Sequence, residues 1–315
     1  MHTYIIRRIL ATIPVMAIVL LLVFFLLRIP GGADPAAVIA GDYAQPEDIE
    51  KIRQRLGLDK PLYQQLGIFL VGLAKGDLGT SIFSGLPVTK MIGQRMEATL
   101  VLSLTTMIFA VVLAVPMGVL AAWKVGTWID RSVMIFAVLG FSFPVFWLGF
   151  LLIYGFSVQL AWLPVQGYKS MFTDGFIPFL RHIILPTVTL GAVYMALIAR
   201  ITRASLLEVL SEDYIRTAHS KGLKPNDVLW GHALKNASVP IVTIIGVGVA
   251  LLIGGVVVTE SVFAIPGLGR LTVDAILHRD YPVIQAIILI FSSAYVLINL
   301  GVDLLYTILD PRIRY

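Results

Sequence analysis

The sequence has 315 residues, of which 58% are apolar and 14% charged, and carries a net charge of +5. That imbalance excludes an ordinary soluble domain. Its Lys and Arg flank apolar runs and form no basic stripe with interleaved aromatics, which argues against a nucleic-acid surface. There are no cysteines, so disulfides, thiolate chemistry and cysteine-ligated metal are excluded as well.

Apolar runs of about 20 residues, the length that crosses a hydrocarbon core, predict six spans at 9–29, 99–122, 133–158, 184–203, 237–259 and 284–308. The first follows Arg7 and Arg8 and precedes the small residues Val38 and Ala40, a signal-peptide pattern. Its uncharged core from Ile9 to Leu27 is longer than a signal core of about 7–15 residues, so an uncleaved first span is expected. A polar stretch, Pro30 to Glu97, follows as an expected extracytoplasmic cap, with helix-forming charge at 47–58 and turn signals at Gly76, Gly79, Gly85 and Pro87. The organisation expected is therefore an N-terminal transmembrane helix over 1–30, a cap over 31–98 and a five-helix core over 99–315. The fourth span is the weakest. It is short, opens at Pro186 and is followed by Arg200 and Arg203, so a half-buried helix remains an alternative there.

Charge sets the orientation. The termini and the connections after spans two and four carry Arg7, Arg8, Lys124, Arg131, Arg203, Arg216, Lys221, Lys224, Lys235, Arg312 and Arg314. Those after spans three and five carry Lys169, Arg181, Arg270 and Arg279. By the positive-inside rule both termini and the Arg203–Lys235 connection are expected in the cytoplasm.

Catalytic patterns are missing. There is no GxxxxGK[ST] phosphate loop, no HExxH and no GxSxG turn, and His2, His182, His219, His232 and His278 lack ligand spacing. What stands out is the connection after span four. Ser211 is placed to cap a helix with Glu212 and Asp213 in its first turn, Gly222 to stop it, and Pro225 and Asn226 to open a second helix towards span five. Ile215, Ala218 and Gly222 fall at i, i+3 and i+7, a face that another protein could approach closely. The alternative is a surface helix packing only on its own chain.

DYIRTAHSKGLKPNDVLWGHALKNASVP, which holds these residues, resembles the EAA loop of ABC-importer permeases, with Ala218 and Gly222 at its core and Pro240 after the second helix. More narrowly, the chain resembles the dipeptide, oligopeptide, glutathione and nickel permease family. The supporting segments are GDLGTS at 76–81, GFSFPVFWLG at 140–149, RASLLEVLSEDYIRTA at 203–218, ESVFAIPGLG at 260–269, RDYPVIQA at 279–286 and NLGVDLLYTILDPRIRY at 299–315. His219 departs from the Arg common in these loops, and RIPGGADPA is longer than the usual Pro-Gly-Asp-Pro run.

The resemblance implies an all-α type I importer permease, a non-enzyme that binds no cofactor itself. Its implied partners are a second homologous permease, two ABC ATPase subunits holding ATP and Mg, an extracytoplasmic solute-binding protein and the lipid bilayer, with no nucleic acid. It places the EAA coupling loop at 203–240 and implies ATPase coupling through Tyr214, Ala218, Lys221, Gly222 and Leu223. Short peptides are the favoured solute, with glutathione, nickel chelates or oligosaccharides as alternatives.

Ser142, Phe143 and Phe146, with Trp147, form a candidate amphipathic pathway face. Glu260, Asn299 and Asp303 complete the pathway set, although an ion pair or interfacial position remains open for Glu260 and Asp303. Pro116, Pro144 and Pro186 stand as helix kinks or packing irregularities. An ion-coupled secondary transporter is the competing class, and would call for internal repeats or deep ionisable residues.

Overall fold

A computed structural model describes residues 2–26, 35–40, 45–55 and 57–309 of the chain. Among them the regular structure is helical, and the only pairing outside helices is an isolated bridge between Thr80 and Pro87. Two long helices, α5 (Val88–Trp123) and α8 (Phe176–Leu210), form the central pair. They approach closely because small residues face bulk. A Cβ at Gly118 would stand 2.6 Å from Thr202 Cβ and 2.7 Å from the Ala199 carbonyl oxygen, and one at Gly191 would stand 2.6 Å from the Phe109 ring. Without water to drive apolar faces together, such close backbone approach is what associates helices in lipid.

Around this pair lie α6 (Trp128–Ser142), α7 (Val145–Leu152), α11 (Leu234–Val262), α12 (Leu268–Leu277) and α13 (Tyr281–Leu309). The first helix, α1 (His2–Leu26), packs on α13. The short helices α2 (Pro35–Ala40), α3 (Pro46–Arg55) and α4 (Leu62–Ala74) precede α5, in the stretch expected to form the cap. At the other end α9 (Asp213–Ser220) and α10 (Pro225–Asp227) connect α8 to α11. The helix expected in 47–58 is α3, and the turns at Gly76, Gly79 and Gly85 all carry positive φ. The apolar α4 was not anticipated.

Among the described residues four helices are long and apolar enough to cross a membrane, and a bent pair counts as a fifth if it is one broken span and not a re-entrant loop. A shorter apolar stretch in α1, Leu10–Phe25, stands where the first span was expected. Two expectations about the spans change. The third is not continuous: α6 stops at Ser142 and α7 starts at Val145, with a bend of 104° between them. Pro144 explains the break, since it has no N–H and forces the preceding residue out of helical geometry; Phe143 is extended at φ −89°, ψ 133°. The fourth is neither short nor half-buried. It runs through Pro186 without interruption, and 67% of its most apolar window is buried, the largest share of any span. Its Thr, Gly and Ala residues lower hydropathy while fitting a crowded centre.

Pro116 also sits inside a continuous helix, so of the three prolines read as possible kinks only Pro144 stands at a break. After α7 the helix widens to a π-helical segment, Ile153–Gln159, and another occurs at Val228–Ala233 before α11. Arg312 and Arg314, used for orientation, lie outside the described residues, as do most of RIPGGADPA and the last six residues of the C-terminal segment.

Candidate functional site

The connection between α8 and α11 is built as two short helices around a sharp turn. Ser211 does not cap α9 as expected. It terminates α8, its hydroxyl donating to the Glu208 carbonyl at 2.7 Å, and Glu212 takes the N-cap position. The end of α9 follows the expectation. Gly222 is left-handed at φ +77°, its N–H donates to the His219 carbonyl at 2.9 Å, and the Leu223 N–H donates to the Ala218 carbonyl at 3.3 Å. This pair of bonds is a Schellman motif, which satisfies carbonyls that a helix end otherwise leaves open. Pro225 then starts α10 at a position where its missing N–H is harmless.

The amphipathic α9 turns its apolar side inward. Ile215 and Ala218 are buried in a cluster with Val119, Leu206, Val228 and Leu229, so the methyl of Ala218 packs on its own chain instead of facing outward. Leu223 is partly buried against the same cluster. Tyr214, Lys221 and Gly222 are exposed, and the Tyr214 hydroxyl accepts a bond from Asn236 Nδ2 at 2.7 Å. A Cβ on Gly222 would meet nothing within 4 Å, which leaves open surface around the turn.

One ion pair fixes α6 beside α8 just above this loop. Asp130 accepts from Arg203 Nε at 2.5 Å and Nη2 at 2.8 Å, and from the Gly126 N–H at 3.0 Å. Asp130 is buried, and the planar fork of Arg fits its two oxygens. Nothing in the sequence pairs Arg203 with Asp130, 73 residues away.

The residues expected to line a pathway do not form one surface. Ser142, Phe143 and Phe146 gather at the α6–α7 break, where Phe143 stacks on Trp147 with ring centroids 4.7 Å apart and both aromatics are exposed. Asn299 and Asp303 line a cavity of about 200 Å³ between α13 and α1, together with Ala11, Thr12 and Tyr295.

Glu260 is in a third place and is fully buried. Its carboxylate accepts from Thr99 Oγ1 at 2.5 Å and from the Arg270 N–H at 2.9 Å, while Thr99 Oγ1 accepts from the Leu268 N–H at 2.7 Å. Together these side chains satisfy the first N–H groups of α12, where a negative charge is also favoured by the helix dipole. The IPGLG turn needs its glycines for this reason. A Cβ at Gly267 would overlap the Glu260 carboxylate, and one at Gly269 would stand 2.6 Å from Val257 Cα.

The cap end is tied by two further carboxylates. Asp280 accepts from the Ser81 hydroxyl and from the Ile82 N–H at 3.1 Å, joining the GDLGTS segment to the start of α13. Glu97 accepts from Tyr168 OH at 3.0 Å and Ser170 Oγ at 2.5 Å, joining α5 to the α7–α8 connection. Burial and the adjacent Glu97 carboxylate push the Tyr168 phenol well above its ordinary range. Between α5, α11 and α13 lies an apolar cavity of about 690 Å³, lined by Leu100, Met107, Val249, Leu252, Leu289 and Leu297 among others. Sequence periodicity carried no signal for these tethers, because each joins segments distant in the chain. Among the described residues no cluster of His, Asp and Glu could hold a metal.

Comparison with known proteins decides the family. Residues 114–315 match the family "Binding-protein-dependent transport system inner membrane component", and residues 1–103 match the N-terminal part of such components. The chain belongs to this family. It is the membrane-spanning permease subunit of an ATP-driven importer.

A probable peptide ABC transporter permease from Sinorhizobium fredii is 54% identical over 315 residues, covering 100% of both chains. The glutathione transport system permease GsiC of Escherichia coli K12 is 48% identical over 316 residues, again covering 100% of each. Among solved structures, the permease resembles a chain of the MetNI methionine ABC transporter in an inward facing conformation, with a TM-score of 0.57. That match is 20% identical and covers 70% of this chain and 97% of that one, a likeness of fold.

Proposed function

We propose that this permease forms half of a translocation pathway for short peptides or chemically similar small solutes, moving them by alternating access. The full-length identity to a peptide permease is the observation that carries the solute class. A second homologous permease would supply the other half, and an extracytoplasmic solute-binding protein would deliver the solute. Two ABC ATPase subunits would bind ATP and Mg and hydrolyse the nucleotide, since this sequence contains no phosphate loop. Both termini and the α9–α10 connection would face the cytoplasm, as the distribution of Lys and Arg supports.

The coupling contact belongs to the α9 turn. Tyr214, Lys221 and Gly222 would meet the ATPase subunit, while Ala218 and Leu223 hold the turn on the bundle from beneath. Closure of the ATPase subunits would move α9, and the buried cluster under it would pass that movement to α5 and α8. Glutathione is the second reading for the solute, supported by the 48% identical glutathione permeases.

The test is reconstitution of the complete assembly with a panel of di- to pentapeptides and glutathione, following uptake and ATP hydrolysis together. Hydrolysis is expected to rise when loaded binding protein is added, and the purified permease alone is expected to hydrolyse no ATP. Uptake of glutathione without any peptide would replace the first solute by the second. Hydrolysis by the permease alone would remove the division of labour.

A further inference from the structure

Beside the α6–α7 break lies a cavity of about 200 Å³ between α6 and α8, lined by Phe141, Ser142, Ala196, Leu197 and Arg200, with Ala137 and Val138 behind them. Arg200 is exposed, and among the described residues no carboxylate lies within ion-pair distance of it. Arg203, three residues on, is neutralised by Asp130. The contrast matters because α8 is otherwise the most buried span. In its half towards α9 the exposed Arg200, Ala204 and Glu208 and the partly exposed Val193 and Leu197 recur at helical spacing, flanked by the partly exposed Ile201, Arg203 and Leu207. Glu208, the other charge on this face, lies eight residues away, about 12 Å along the axis. An unpaired guanidinium on a spanning helix is expensive to hold unless something anionic meets it.

We propose that Arg200 and Ser142 form a receiving site for an anionic group of the solute, specifically the free carboxylate of a peptide-like molecule. A side chain on α8 leans towards the helix N-terminus, which directs Arg200 away from the Asp130 level and into the cavity with Ser142. The guanidinium offers two parallel N–H donors to a carboxylate. Ser142 Oγ donates its proton to the Val138 carbonyl at 2.8 Å, so the oxygen presents acceptor lone pairs, suited to a neighbouring amide N–H. A carboxylate beside an amide N–H is the end of a peptide. The cavity takes that end and not a whole oligopeptide, and it adjoins the exposed Phe143–Trp147 stack, which offers apolar surface to the side chains that follow. This site rests on the solute reading above and deepens it to one chemical group.

A lipid phosphate could meet the same guanidinium, and the experiment separates the two anions. Complete assemblies carrying wild-type permease, Arg200→Gln or Arg200→Lys are reconstituted in vesicles. Uptake is measured for two peptides that differ only in ending as carboxylate or carboxamide. Arg200→Gln is expected to lower uptake of the acid about tenfold, mainly through KM, with the amide unchanged, and Arg200→Lys to recover much of the loss. An equal fall for both peptides would assign Arg200 to lipid or to the helix itself and overturn the site. Peptide uptake indifferent to both substitutions would overturn the site while leaving the solute class standing. A wild-type assembly that moves neither peptide would remove the solute class and this site with it.

Discussion

Glu260 is a single buried carboxylate whose contacts support a structural role beside the transport role open to it. An ionisable group in a membrane protein is a functional candidate by default, and the sequence reading placed it in the pathway set while leaving a structural role open. Its surroundings answer to the structural role: every described polar contact of the side chain leads to Thr99 or to the first turn of α12. Glu260→Ala would leave buried N–H groups unsatisfied, at about 1–3 kcal/mol for each donor. The expected outcome is a lower unfolding temperature and lower membrane abundance. Glu260→Gln keeps one acceptor oxygen and should be milder. Gly269→Ala should resemble Glu260→Ala, because its methyl group would press on the Val257 backbone. Thermal unfolding in detergent checks the series. Unchanged unfolding together with altered solute preference would return Glu260 to the pathway.

At the scale of elements, what could be read in advance followed local rules. Span positions came from apolar run length, α3 from its charged helical pattern, and the α9–α10 turn from Gly222 and Pro225. What escaped was set by contacts distant in sequence. The burial of α8 depends on Gly118 and Gly191 in facing pairs, and the ties from Asp130, Asp280 and Glu97 each cross tens of residues or more. Ala218 is instructive because its small size suggests room for a partner, whereas it is buried in one cluster with Val228, Val119 of α5 and Leu206 of α8. Ala218→Asp would therefore bury a charge within the chain, and its failure would say nothing about coupling.

Gly222 is the better probe of the loop. Its left-handed backbone costs an ordinary side chain about 1–2 kcal/mol, while Asn enters that region readily. Since a Cβ there meets nothing within 4 Å, Gly222→Asn should keep both abundance and uptake close to wild type. Gly222→Leu adds bulk where the ATPase subunit is proposed to dock. It should lower uptake by about tenfold or more and reduce recovery of ATPase subunits with the permease, at abundance near normal. Full uptake by the Leu variant would take the coupling contact away from this turn.

At the scale of the whole molecule, polar ties gather at the two ends of an apolar bundle. Carboxylates at Glu97, Glu260 and Asp280 bind connections together at the cap end, the Asp130–Arg203 pair and the α9 cluster do so at the other, and a 690 Å³ apolar cavity lies between α5, α11 and α13. Tied ends with a loosely filled middle suit a bundle that rocks as rigid pieces, since packed elements move between discrete arrangements. That reading requires the two ends to lie on opposite faces of the membrane, a point on which the sequence offers its distribution of Lys and Arg. The chain has no cysteine, so single introduced thiols report position without background. Lys60 and Lys221 are both exposed and mark the cap and the α9 turn. With Lys60→Cys, a membrane-impermeant maleimide should label intact spheroplasts. With Lys221→Cys, labelling should require permeabilised cells or inverted vesicles. Labelling of both from one side would leave an odd number of crossings between positions 60 and 221 impossible. Of the helices between those positions α4 and α9, at 13 and 8 residues, are too short to cross, so with α5 and α8 each crossing once that result would require α6 and α7 to be a re-entrant hairpin and not one broken span.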